Sequence, residues 1–172
     1  SVDAAAESWQ QVYAADFAVP AGPEWSHRVT DTTPIGARRF LGQFGNDTVT
    51  LTLPSLPAHA AVRISFDLFL ICSWDGGDEE HADDIMGPDS WSMKLDGQNV
   101  FVTTFSNWGA GSGWQCFPDQ YGQALHAART GAIENDTLGF LSWDLLSIQD
   151  SVYHLSFIFP HGSNSPVLDF GG

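Results

Sequence analysis

The sequence predicts an all-β protein, a two-sheet antiparallel jelly-roll sandwich with one short helix and long loops. Three observations predict it. Several segments alternate apolar and polar residues with period two, the signature of strands with one buried face. Gly, Pro, Asn and Asp separate these segments at short intervals, where turns are needed. The strand-like segments follow one another without helical periods between them, so the βαβ alternation of a parallel sheet is missing.

Residues 1–11 are small and polar and read as an N-terminal arm, extended or with a short helix at Ala4–Trp9. Residues 12–172 read as one β-sandwich domain, long enough to enclose a full core. Val12–Phe17 is predicted as the first strand, ended by Pro20, Gly22 and Pro23. Ala37–Phe44 carries Phe40, Leu41 and Phe44 beside Arg38 and Arg39 and reads as the next, closed by the turn signal Gly45-Asn46-Asp47. In Thr48–Leu53, Val49, Leu51 and Leu53 share one face and three threonines the other. Val62–Cys72 is the longest strand candidate. It places Val62, Ile64, Phe66, Leu68, Leu70 and Cys72 on a core face, and Arg63, Ser65, Asp67, Phe69 and Ile71 on the opposite one.

Trp91, Met93 and Leu95 alternate with Ser92, Lys94 and Asp96, and Asp96-Gly97 predicts a hairpin returning through Val100–Phe105. Ser106–Cys116 is a Gly-rich loop, and Gln120–Arg129 holds a helix-like run at Ala124, Leu125, Ala127 and Ala128. Leu138–Trp143, Ser151–Phe159 and Val167–Phe170 complete the predicted strands.

Charge narrows the partners. The chain has 21 acidic against 6 basic residues, a formal charge of −15 that disfavours nucleic acid and anionic membrane and favours cations. No apolar run approaches the roughly 18 residues of a membrane-spanning helix, so no membrane insertion is expected. Lys94 is the sole lysine, while Thr, Ser, Asn and Gly abound, the balance of secreted β-rich proteins. Ser1-Val2-Asp3-Ala4-Ala5-Ala6 reads as the start left by signal cleavage.

The most concentrated chemistry lies between Asp75 and Asp89. Seven carboxylates occur there (Asp75, Asp78, Glu79, Glu80, Asp83, Asp84, Asp89) with no Lys or Arg. Their mutual repulsion calls for a cation or open solvent. Ca²⁺ takes six to eight oxygen ligands, and Asp75, Asp78, Asp83, Asp84 and Asp89 can supply them, with Gly76, Gly77 and Gly87 letting the backbone curl. The EF-hand spacing is absent, and His81 has no second His or Cys nearby to favour a transition metal. Cys72 and Cys116 are predicted to form a disulfide worth about 4 kcal/mol by loop closure.

Trp74, Trp108 and Trp114 lie in or beside the loops with Asn107 and Gln115 at hand, which suits sugar stacking or, alternatively, loop anchoring onto the core. Catalysis has little to build on. The five glutamates do not alternate along strands, no nucleophile or phosphate-loop motif occurs, and His27, His59, His126, His154 and His161 stand singly. A non-catalytic protein is therefore expected. Two N-x-T sequons, at Asn46 and Asn135, are potential glycosylation sites.

Taken together, Arg39–Asn46, Ser65-Phe66-Asp67-Leu68-Phe69, Ser73-Trp74-Asp75-Gly76, Gly87-Pro88-Asp89-Ser90-Trp91, Asp96-Gly97, Thr103–Asn107 and Asp150-Ser151-Val152-Tyr153 resemble bacterial extracellular jelly-roll modules, similar to concanavalin-like and carbohydrate-binding folds of surface proteins. The resemblance implies secretion, a β-sandwich and Ca²⁺ near Asp75 and Asp89 with Asn107 as a neighbour, and it implies no catalytic residue. Two departures stand out. The loop between the S-W-D-G and G-P-D motifs is longer and more acidic than in the group. The group also runs on into a further strand with a Glu-Ser-Trp start, whereas this chain carries Glu7-Ser8-Trp9 in its arm. The expectation is a calcium-stabilised structural or adhesive surface subunit. It self-associates into filaments by strand exchange through that arm. A glycan-binding module is the alternative, and a jelly-roll glycan-active enzyme the third reading.

Overall fold

A computed structural model describes residues 8–77, 87–109 and 113–172. The described residues form strands and turns with no helix. The strands are β1 (Thr30–Thr32), β2 (Arg39–Leu41), β3 (Thr48–Thr52), β4 (Ala61–Ile71), β5 (Ser90–Leu95), β6 (Gln98–Thr104), β7 (Trp114–Gln115), β8 (His126–Ala127), β9 (Glu134–Asn135), β10 (Asp150–Pro160) and β11 (Val167–Gly171). They pair antiparallel in a four-stranded sheet ordered β3-β11-β5-β6, a three-stranded sheet ordered β4-β10-β9, and two small sheets, β1-β2 and β7-β8.

The alternating patterns set the faces. β4 and β10 pair along their whole length, from Asp150↔Ile71 to Pro160↔Ala61. Ile64, Phe66, Leu68 and Leu70 of β4 join Tyr153, Leu155, Phe157 and Phe159 of β10 in the largest core cluster. Trp91 and Met93 of β5, Phe101 of β6 and Phe170 of β11 enter the same cluster, so both larger sheets contribute to it. The polar half of the other β4 face, Arg63, Ser65 and Asp67, is exposed. Its apolar half, Phe69 and Ile71, is covered by a smaller cluster of Phe40, Leu138, Phe140 and Val152. The β5–β6 hairpin turns at Asp96-Gly97 as the sequence predicts, both residues having positive φ (49° and 78°), the geometry a two-residue primed turn requires.

Four expectations are corrected. The predicted helix at Gln120–Arg129 is absent. Tyr121 N–H donates to Val102 O (2.8 Å) and Ala128 N–H to Gly113 O (3.3 Å), so non-local acceptors take the donors a helix would need. For the arm, which the sequence leaves open between an extended form and a short helix at Ala4–Trp9, the described residues Ser8 and Trp9 carry no helix, in line with the extended form. Val12–Phe17 forms no strand. It is fastened by side chains, with Trp25 Nε1–H donating to Tyr13 Oη and Tyr13 O–H to Glu24. Leu138–Trp143 forms no strand either. The buried Asp150 carboxylate accepts the amides of Thr137, Leu138, Gly139 and Phe140 at 2.9–3.1 Å, which removes them from any ladder. The chain then turns tightly, Ser142 N–H donating to Ser147 O, and leaves Trp143 79% exposed.

The fourth correction concerns the disulfide. Cys72 and Cys116 are both free thiols. Alternation carried Cys72 inward on paper, but β4 ends at Ile71 and Cys72 has a φ of 62°, so the period breaks one residue early. The Cys116 sulfur instead lies 3.9 Å from Gly77 O. Burial and the Asp150 charge raise the Cys72 pKa and disfavour a reactive thiolate.

Candidate functional site

The two ends of the acidic segment converge on the Gly-rich loop. Asp75 N–H donates to Asp89 Oδ2 at 2.7 Å, closing the segment at its base. Asp75 bridges to Ser106 and Gly76 to Trp114, while Gly77 N–H donates to Trp114 O at 2.6 Å. Gly76 is required at this crossing. It has a φ of 66°, and a Cβ there would collide with the Trp114 carbonyl and approach Phe105 O to 2.8 Å.

Two buried amides bind this base together. Asn107 Nδ2 donates to Leu70 O and Cys72 O, both at 3.1 Å, and its Oδ1 accepts the Ser151 hydroxyl at 2.6 Å. Its main-chain carbonyl accepts Arg129 Nε and Nη2 at 3.1 and 2.7 Å, and Arg129 also makes a two-pronged pair with Asp136. Gln115 is saturated in the same way. Its Oε1 accepts Ser106 N–H, Arg129 N–H and Tyr153 O–H, and its Nε2 donates to Phe117 O and Thr130 O. Burial pushes the Tyr153 pKa up to about 12, against the lowering effect of the Gln115 bond. Such fully satisfied polar groups fix a unique local structure, because each unpaired member would carry a desolvation cost.

These bonds define where the sequence-predicted residues fall. Asp75 and Asp89 are brought together, and Asp78, Asp83 and Asp84, with Glu79, Glu80 and His81, lie outside the described residues. Asn107 is fully buried and commits its carboxamide to the main chain and Ser151, which gives it a clamping role at the loop base. Among the described residues, no three His, Cys, Asp or Glu side chains are placed to hold one metal ion.

The tryptophans divide. Trp74 is half-buried and packs edge-on against Phe105, anchoring the loop to the core. Trp108 and Trp114 are 46% and 50% exposed. Gly113, which precedes Trp114, lies against Trp108: an added Cβ there would be 3.0 Å from the Trp108 Cβ. The site therefore presents two half-exposed indoles on a hydrogen-bonded base, a surface suited to stacking.

In the arm, Glu7 lies outside the described residues, Ser8 is exposed, and the Trp9 ring takes the Arg63 guanidinium 4.4 Å above its centre. Residues 8–11 add no strand to either sheet. Sequence reasoning missed the Asp150 nest and the pairing of His59 with His161, which stand 102 residues apart and carry no shared local signal. No protein-family model, curated protein or solved structure matches the chain.

Proposed function

We propose that this chain is a secreted, non-catalytic, Ca²⁺-stabilised jelly-roll β-sandwich that serves as a structural or adhesive surface subunit and self-associates by strand addition. The observation that carries the reading is the position of β4. It is an eleven-residue strand and, among the described residues, the outermost one of its sheet. A long outer strand is a template for a strand from a neighbouring chain, and head-to-tail addition that does not close on itself builds a filament. The N-terminal arm touches β4 through the Trp9–Arg63 contact, which supports the arm as the exchanged segment of this reading. Arg63 and Asp67 are the charges that guard this edge against unspecific pairing.

Ca²⁺ belongs to the reading as a stabiliser of the acidic segment, whose two ends Asp75 and Asp89 meet. Two glutamates have structural partners, Glu24 with Tyr13 and Glu134 with Arg38, which supports a non-catalytic role. The test is removal of residues 1–11. The shortened chain should remain folded and monomeric where the full chain polymerises. Polymerisation that survives the deletion overturns the exchange mechanism.

A second reading, glycan binding, is favoured by the half-exposed Trp108 and Trp114, carried on one loop. Polysaccharide should then quench tryptophan fluorescence, and Trp108→Ala or Trp114→Ala should remove the quenching. Unchanged quenching in both variants excludes this surface.

A further inference from the structure

A second cluster lies away from the tryptophan loops, where the 54–60 turn, the end of β10 and the β5–β6 hairpin meet. His59 Nδ1 is 2.6 Å from Pro57 O, and His161 Nε2 is 3.0 Å from Asp96 Oδ2. The remaining nitrogens, His59 Nε2 and His161 Nδ1, face one another at 2.7 Å. The ring centres are 5.0 Å apart and the planes differ by 15°. With the nitrogens so much closer than the centres, the rings meet end-on and nearly coplanar, not face to face. Both ring nitrogens therefore direct their in-plane positions along one line.

Proton accounting makes this contact informative. A carbonyl oxygen only accepts, so His59 Nδ1 carries a hydrogen for Pro57 O. Asp96 is likewise an acceptor: its Oδ1 takes the Val167 amide at 2.8 Å, and its other carboxylate oxygen faces His161 Nε2. His161 Nε2 therefore carries the other hydrogen. With both rings neutral, the facing atoms His59 Nε2 and His161 Nδ1 are both lone pairs, and an electropositive species between them relieves the contact. Imidazoles whose far N–H groups are fixed by a carboxylate and a main-chain carbonyl have the outer-shell arrangement of metal-ligating histidines.

We propose that His59 and His161 form a two-histidine site for a borderline transition-metal cation of the Zn²⁺/Cu²⁺ class, with Asp96 and the Pro57 carbonyl as positioning acceptors. Imidazole nitrogen suits these ions, whereas Ca²⁺ requires oxygen, so the site is independent of the acidic segment and of the assembly reading. Two metal–nitrogen bonds of about 2.0–2.1 Å at a tetrahedral angle set the nitrogens about 3.3 Å apart and the two ring directions about 110° from one another, so on loading the rings separate and tilt out of line. His59 lies on the 54–60 turn, which is the segment expected to move. Main-chain bonds on either side, Leu56 N–H to Asn164 O (2.7 Å) and His161 N–H to Ala60 O (3.0 Å), keep the two ligands opposed. The protein supplies two ligands, and water completes the shell.

The test is titration of the chelator-stripped full chain with Cu²⁺, followed by electron paramagnetic resonance, and with Zn²⁺, followed by thermal melting. The expected result is a copper signal with two nitrogen ligands and a zinc-dependent rise in Tm. Both should be lost in His59→Asn, a variant at a surface turn, and in His161→Ala. Asp96→Asn should weaken binding by roughly 10–100-fold, the usual effect of removing an outer-shell partner. A copper signal without two nitrogens, or binding unchanged in His59→Asn, overturns the proposal. So does ¹⁵N resonance showing the pair bridged by a shared proton at saturating Zn²⁺.

Discussion

Asn107→Asp separates two roles for one residue, because the substitution preserves shape and changes only donors and charge. In the structure the Asn107 amide donates to Leu70 O and Cys72 O at 3.1 Å each. An aspartate turns an acceptor toward both carbonyls; Cys72 O keeps the Trp74 amide and Leu70 stays in the β4–β10 ladder, but two hydrogen bonds are lost at a combined cost of about 1–3 kcal/mol. Burying the new charge against two carbonyl oxygens adds to that, and the Ser151 hydroxyl satisfies only one carboxylate oxygen. For a chain of this length each kcal/mol corresponds to roughly 2–4 °C in Tm, so a fall of at least about 2 °C is expected. The assay is urea and thermal unfolding, each with Ca²⁺ and with chelator. The clamping role predicts the same loss in both conditions and an unchanged Ca²⁺ increment. A variant as stable as the parent refutes the reasoning. So does a larger Ca²⁺ increment, since a carboxylate added to a metal shell should strengthen binding.

Two further predictions concern buried polar groups. Asp150→Asn keeps one oxygen and turns an amide NH₂ toward two of the four amides now bound. Losing two charge-assisted bonds should cost about 3–6 kcal/mol, measured by urea unfolding, and a loss below about 1 kcal/mol contradicts the nest. Tyr153 gives a pH dependence. Its folded pKa of about 12 stands above the ordinary 10, so the folded state holds its proton more tightly. The resulting stability, on the order of 3 kcal/mol, is fully present below pH 10 and is lost as pH rises to 12. Tyr153→Phe should flatten that part of the stability–pH curve, and an equally steep fall in the variant refutes the assignment.

What could be read from the sequence was local. The period-two runs of β4 and β10 and the Asp96-Gly97 turn announce themselves within a few residues, so the all-β class and its longest hairpin were legible. What failed depended on distant partners. Leu138–Trp143 looks like a strand until Asp150 claims its amides. Cys72 looks inward-facing until a positive φ ends the alternation. Asn107 and Gln115 look like ordinary polar loop residues, yet both are fully buried because the crossing of two loops leaves main-chain groups that only a carboxamide can serve on both sides. The tryptophans were visible as a set, but their division into the anchor Trp74 and the half-exposed Trp108 and Trp114 is set by packing.

The central claim is assembly along the β4 edge through the arm, and sedimentation with electron microscopy of the full chain beside the chain lacking residues 1–11 tests it most directly. The account predicts concentration-dependent filaments from the full chain and folded monomers from the shortened one. A full chain that stays monomeric at every concentration, or filaments from both, contradicts it.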